Sequence, residues 1–271
     1  MTAGKPLGHY LRARRELVRP EAAGLPEGGG RRRVSGLRRS EVAQLAGIST
    51  EYYVKLEQGR EVHPTDQVLV ALSRALQLDA TATSYLRSLA RLPELPAVPA
   101  QSDEHARVRW LIDSWPHTAA IIHDRHNDII ASNALMLALV PAFRSGENSL
   151  VALLLEPSVR LLYGDEWEGL AARSVALLRT NAGLPPYAER TEELVAMLSR
   201  DSELFRTVWP RNDVYGGTSG VHRITHPSAG ALTLHFARLP LAGPADHSIF
   251  LYYAEPGSPT AAALSELAAQ G

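Results

Sequence analysis

The residues able to do chemistry fall into a few groups. Ser49, Thr50, Glu51, Tyr52 and Lys55 lie close together, and Arg31, Arg32 and Arg33 form an unbroken basic run upstream of them. Hydroxyl and cationic groups reach base edges and phosphates, a tyrosine adds a flat apolar face, and a glutamate accepts from cytosine or caps a helix. Further on, His123, Asp124, His126 and Asp128 are of types that ligate metal ions. They sit in a turn-forming cluster, so the expectation is a hairpin turn and no metal. His222 and His226 are four apart in a stretch of strand character and read as a surface pair. Catalytic signatures are missing: there is no G-x-S-x-G, no phosphate-binding loop, no dinucleotide fingerprint and no H-E-x-x-H. Cysteine is absent, which removes thiolate nucleophiles, disulfides and cysteine-based metal centres. No pair of carboxylates stands out as acid and base. The expectation is a protein that binds rather than transforms, without a cofactor.

These groups sit in a chain of 271 residues, a length that suits two modest domains. At 45% hydrophobic and 21% charged, the chain can fill a core. Its net charge of −1 hides a division: residues 1–92 hold 15 Lys or Arg against 9 Asp or Glu, a balance of +6, and the remainder carries −7. A basic end joined to an acidic remainder points to a polyanion-binding module attached to something with another task. The longest apolar runs, 134–140 and 150–155, are far short of the roughly 20 residues that span a bilayer, and the first residues lack the pattern of a secretory signal. A soluble, cytoplasmic protein is expected.

Short helices must position the first group. Residues 6–18 read as a helix with Leu7, Tyr10, Leu11 and Leu17 on a loose apolar stripe. After a stretch broken by Pro20, Gly24, Pro26 and three successive glycines, helices are expected at 39–46 and 50–58, then at 65–76 and 81–92. Gly47 serves the turn between the first two, Ser49 caps the second and Gly59 ends it. A small Ala43, a permissive Gly47 and apolar Ile48, Val54 and Leu56 have the spacing of a helix-turn-helix, whose second helix enters the major groove. Arg38, Arg39 and Arg60 flank this pair and complete the candidate DNA-binding set. Residues 6–90 resemble an Xre/Cro-type helix-turn-helix domain of the actinobacterial kind, on the strength of LRRSEVAQLAGIS at 37–49, YYVKLEQGR at 52–60, Pro64 and VLVAL at 68–72.

Three prolines within 93–99 coincide with the change of charge. The expected division is therefore a DNA-binding domain at 1–92, a linker at 93–103, a second domain at 104–260 and a tail at 261–271. In the second domain, a helix at 106–114 precedes strands at 119–123 and 129–131. Helices at about 133–140, 148–162, 166–182 and 191–209 follow, then strands at 221–225, 231–237 and 248–253. Leu232, Leu234 and Phe236 alternate with Thr233 and His235, the pattern of a half-buried strand. An α+β domain is expected, a five-stranded antiparallel sheet with helices over one face.

This part resembles the MmyB-like ligand-binding domain, which has a PAS-like fold. The likeness rests on IIASNA at 129–134, WPRNDV at 209–214, His226-Pro227 with Gly230, Leu232 and Leu234, and EPGSP at 255–259. The chain departs from the pattern at Ser132, where an aromatic is usual, and at Asn212, where a histidine is common. The resemblance implies a transcription factor that senses small, often apolar molecules such as fatty acids. Candidate lining residues are Ile122, Leu137, Leu154, Phe205, Trp209, Leu234 and Phe236, with Asn133, Arg211 and Asn212 as polar anchors. The same residues also suit a filled core, a cap or a turn. The reading is a regulator that binds duplex DNA as a homodimer and senses a small apolar ligand, with no membrane partner. The alternatives are a second domain that binds a protein partner or dimerises without a ligand, and an enzyme carrying a DNA-binding domain.

Overall fold

The computed structural model describes residues 4–25, 36–61, 63–90, 102–182, 188–241 and 247–270. Arg31, Arg32, Arg33 and the proline-rich stretch 93–99 lie outside them. The chain divides into two compact units: the first gathers the five N-terminal helices together with residues 207–215, and the second holds most of the rest.

The helices of the first unit are α1 (Gly4–Leu17), α2 (Arg39–Leu45), α3 (Thr50–Glu57), α4 (Asp66–Ala75) and α5 (Ala80–Ala90). Side-chain caps start three of them. Ser49 Oγ accepts from the Tyr52 amide at 3.1 Å, Thr65 Oγ1 from Val68 at 3.4 Å and an Asp79 carboxylate oxygen from Ala82 at 2.7 Å. Each satisfies an amide that the helix itself leaves unpaired. Gly47 turns α2 into α3 with a φ of +65°, which costs a residue with a Cβ dearly. Leu7, Leu11, Leu37, Val42, Tyr53, Leu56, Leu72, Leu76 and Leu86 form the core. Gly8 lets α1 lie against the end of α3, since a Cβ there would sit 2.4 Å from the Glu57 carbonyl oxygen.

The second unit is built on a fully antiparallel sheet of β1 (Ala119–His123), β2 (Ile129–Ser132), β3 (Ser219–His226), β4 (Gly230–Pro240) and β5 (Ser248–Tyr253), in the order β2-β1-β5-β4-β3. The helix α6 (Ser102–Asp113) precedes it. Between β2 and β3 run α7 (Ala134–Leu139), α8 (Ser149–Leu155), α9 (Pro157–Tyr163), α10 (Trp167–Ala182), α11 (Ala188–Asp201) and α12 (Glu203–Val208), and α13 (Pro259–Gln270) ends the chain.

Strand alternation assigns the two faces. Ala120, Ile122, Ala131 and Ile249 pack with Ile112 of α6. The opposite side of the sheet carries His123, Phe250, Tyr252, Phe236 and His222. It is met by Tyr163 of α9, edge-on to His222, and by Asn181 of α10, bonded to Arg238. Helices therefore cover both faces, not one. The expected helix at 148–162 is two, because Glu156 leaves helical geometry and Pro157 opens a new helix at its first position. The expected helix at 191–209 also breaks, where Ser202 Oγ caps the Phe205 amide at 3.2 Å. In the expected tail, residues 261–270 belong to a helix: α13 buries Leu264 and Leu267, and Thr260 Oγ1 accepts from the Thr233 amide of β4 at 3.1 Å. Among the described residues no helix is long and apolar enough to cross a membrane.

Candidate DNA-binding face and ligand site

The second helix of the helix-turn-helix, α3, presents Thr50, Glu51 and Lys55 to solvent and holds Tyr53 and Leu56 inside. Tyr52 is half-buried against the core, so its ring props the helix while one edge stays accessible. Lys55 is paired with Glu51 one turn earlier at 3.0 Å, an exposed pair that a phosphate can replace at little cost. Arg60 is exposed just beyond the helix. Beside α3 lies a cleft of about 520 Å³ lined by Arg12, Arg15, Glu16, Arg38, Arg39, Ser40, Thr50 and Val54. Four guanidinium groups and two hydroxyls around one depression suit a phosphate backbone.

Not all of these arginines are equally free to bind. Glu57, at the end of α3, has a side chain only 1% exposed. One of its oxygens takes the Nε and Nη2 groups of Arg15 at 3.0 and 2.8 Å, and the other contacts Arg39. Arg15 also donates to the Leu37 carbonyl at 2.9 Å. One carboxylate thus ties α1, α2 and α3 together. Arg39, a sequence candidate for DNA contact, is turned partly inward by this bond, while Arg38 stays exposed and its backbone amide donates to Glu41 at 2.7 Å. Sequence reasoning missed Glu57, Arg12, Arg15 and Ser40; the one available signal was a glutamate next to the buried Leu56.

The ligand candidates do not converge as a set. Leu154, Phe205, Leu234 and Phe236 are buried, Leu234 and Phe236 on the same face of the sheet as His222 and Tyr252. Ile122 points to the opposite face, against α6. Leu137 is exposed on α7. Asn133 is a structural knot: its Oδ1 caps Met136 and accepts from the Ala120 amide, each at 3.0 Å, while its Nδ2 donates to the Thr118 and Ile112 carbonyls at 2.8 and 3.1 Å. Those bonds leave it no capacity for a ligand. Trp209, Arg211 and Asn212 belong to the first unit. There Arg211 pairs with Asp213 at 3.0 Å, and Asn212 takes a left-handed turn and bonds back to the Pro210 carbonyl.

The histidines also differ from expectation. His222 and His226 are buried, not a surface pair, because both share the buried side of β3 with Ile224. Asp124, His126 and Asp128 do come within 4.8 Å of one another. Asp124 Oδ1 accepts from the amides of His126 and Asp128, and the Asp128 carboxylate takes both Arg190 and Asn148. These bonds lock the β1–β2 turn and tie it to Asn148 and Arg190. His123 lies apart from them, its ring 5.0 Å from that of Phe250.

Residues 6–86 match a family described as a helix-turn-helix domain, and residues 105–267 match the MmyB-like transcription regulator ligand binding domain. No curated protein matches the chain. A helix-turn-helix that opens beside a basic cleft and an antiparallel sheet enclosed by helices are the two parts these matches describe, and the chain belongs to the MmyB-like transcription regulators, DNA-binding proteins with a C-terminal ligand-binding domain.

Proposed function

We propose that the protein is a one-component regulator of the Xre type, which binds an operator as a homodimer and changes its DNA affinity when its second domain takes up a small, largely apolar molecule of the fatty-acid kind. The observation that carries the DNA half is the exposed row Thr50, Glu51, Lys55 on α3 next to the arginine-lined cleft. Thr50 and Tyr52 then read bases, and Arg12 and Arg38 hold phosphates. A single helix-turn-helix touches few base pairs, so operator affinity calls for a second copy about one helical turn away, roughly 34–36 Å. Trp110, 70% exposed, and Leu111 on α6 supply apolar surface for such pairing. The strand order β2-β1-β5-β4-β3 supports the PAS-like reading of the second domain.

The test is selection from random duplexes with the full chain, followed by light scattering of the free and bound protein. An enriched inverted repeat and a dimer are expected. Selection that enriches no sequence defeats the operator reading, and a monomer on DNA defeats the dimer. The absence of catalytic signatures and the regulator architecture support a non-enzymatic role for the second domain.

A further inference from the structure

One stretch of the second domain's sequence packs with the first unit. WPRNDV at 209–214 lies within the 105–267 that match the ligand-binding family, yet residues 207–215 belong to the helical unit. On either side the chain belongs to the second unit, up to Arg206 in α12 and from Gly216 on into β3. The local geometry is that of a hook. Trp209–Arg211 form a 3₁₀ turn, and Asn212 ends it in the left-handed region with a φ of +54°. Its amide donates to the Trp209 carbonyl at 3.3 Å and its side chain to the Pro210 carbonyl at 3.0 Å. Asparagine tolerates this conformation better than other residues with a Cβ, so the hook costs little strain.

Beyond the hook the chain is fastened to α1. Asp213 Oδ1 accepts from Arg14 Nη1 and its Oδ2 pairs with Arg211 Nε, both at 3.0 Å. Arg14 is the more sheltered guanidinium. Its side chain is 20% exposed, its Nε is buried without a partner, and among the described residues Asp213 is the one acid paired with it. Val214, next in the chain, packs against the core of the first unit. The helix α1 therefore serves two surfaces: Arg14 takes the hook, while Arg12, Arg15 and Glu16 line the cleft beside α3. Gly8 and the Arg15–Glu57 pair hold α1 tightly to α3. In such close packing a displacement of α1 is passed on to the reading helix.

We propose that residues 207–215 are a regulatory strap, latched on α1 by Arg14–Asp213 and by Val214, whose release passes the state of the second domain to the DNA-binding helices and weakens operator binding. This rests on the regulator reading above and names the route its regulation takes. The strap is covalently continuous with α12 and β3, so a shift at the end of either element pulls on it directly. Docked, it braces α1 in the position that shapes the cleft; released, it leaves α1 held on the α3 side alone. One part-buried ion pair and one valine make a latch that a ligand's differential affinity for two states can open, unlike the buried Glu57 network on the other side of α1.

The experiment is hydrogen exchange of the full chain, free and saturated with the duplex enriched by selection, with duplex affinity measured beside it. The variants are Arg14→Gln, Asp213→Asn and Val214→Ala. The first two move the charge of the protein in opposite directions, so electrostatics alone predicts opposite changes in DNA affinity. The latch predicts one change for all three: α1 amides exchange faster in the free protein, and duplex affinity falls by about fivefold. Linkage is reciprocal, so duplex binding should slow exchange in residues 203–206 and in β3 of the unmodified protein, and should fail to do so in the variants. Unchanged α1 exchange, or opposite affinity changes for Arg14→Gln and Asp213→Asn, overturns the latch. A duplex that leaves 203–206 and β3 unaffected, or slows them equally in the variants, overturns the transmission. Where selection enriches no sequence the operator reading fails alone, and the same measurements on an arbitrary duplex at low salt decide the strap. A protein that binds no duplex overturns the transmission together with the regulator reading.

Discussion

The two units differ in how their buried charged groups are paired. In the DNA-binding unit the buried carboxylate of Glu57 is matched by Arg15 and Arg39, and the network closes on itself through the Leu37 carbonyl. In the ligand-binding unit the buried groups are left open: His123 and His222 have nitrogens without partners, and Arg238 has only neutral acceptors. A closed network fixes geometry, which a reading head must keep from one operator to the next. An open set of polar groups costs stability in the empty protein and returns it when something fills the gap. The contrast concerns these charged groups and not every polar atom, since Tyr53 Oη and Arg14 Nε of the first unit are also buried without a partner.

The sharpest way to break this contrast is to orphan the closed network. Glu57→Leu leaves the buried guanidinium of Arg15 with the Leu37 carbonyl but without its close carboxylate, and cuts the ion pair that ties α1 to α3. Removing one partner of a buried pair typically costs about 3–5 kcal/mol, and the first unit should lose that much in chemical denaturation. Arg238→Met, in contrast, orphans no acid and should move the stability of the second unit by less than about 1 kcal/mol. Equal costs at the two positions would remove the distinction between closed and open networks.

Asn133 tests the same idea inside the second unit, where it is the closed exception. Its side chain satisfies two amides and at least two carbonyls, of which Ile112 also accepts from the Trp115 amide. Asn133→Ala should cost about 2–4 kcal/mol, since each buried group left unpaired costs about 1–3 kcal/mol. Ligand affinity of the folded fraction should not change. A variant that folds normally but loses dodecanoate binding would return Asn133 to the role of ligand anchor that its sequence context suggested.

How much of this was legible in the sequence depends on whether the signal is local. The caps Ser49, Thr65 and Asp79 and the turn glycine Gly47 act within four residues, and they place α2 to α5 to within a residue or two. The alternation of Leu232, Leu234 and Phe236 marks β4, but the same face continues to Arg238, and a charged residue there looks like the strand's end. In β1 every residue is buried, so alternation is silent about faces, and only the structure separates Ile122 from Leu234 and Phe236. The C-terminal helix α13 is rich in alanine, with only Leu264 and Leu267 to mark a buried stripe, and it passed for a tail. Glu57 was invisible because its partners lie 42 and 18 residues away. The open polar groups around Arg238 come from three different segments, so no spacing rule could have gathered them.

The smallest of the expected effects concerns protons, and it separates the two units without touching a ligand. Desolvation lowers the pKa of both His123 and His222 from 6.5 to about 4. Asp124 works against that shift at His123, and Arg173 adds to it at His222. Between these values the unfolded chain binds a proton at each site that the folded protein does not. Stability therefore rises with pH across the window, and it falls as pH drops from about 6.5 toward 4. At 1.36 kcal/mol per unit, each histidine should remove about 2 kcal/mol between pH 7 and pH 5. His222→Phe keeps an aromatic ring between Phe236 and Tyr163 and takes away the titrating group. Its stability relative to the unmodified protein should therefore improve by about 2 kcal/mol when the same denaturation is repeated at pH 5 instead of pH 7. The first unit, followed through its own transition, should show no such difference between the two proteins.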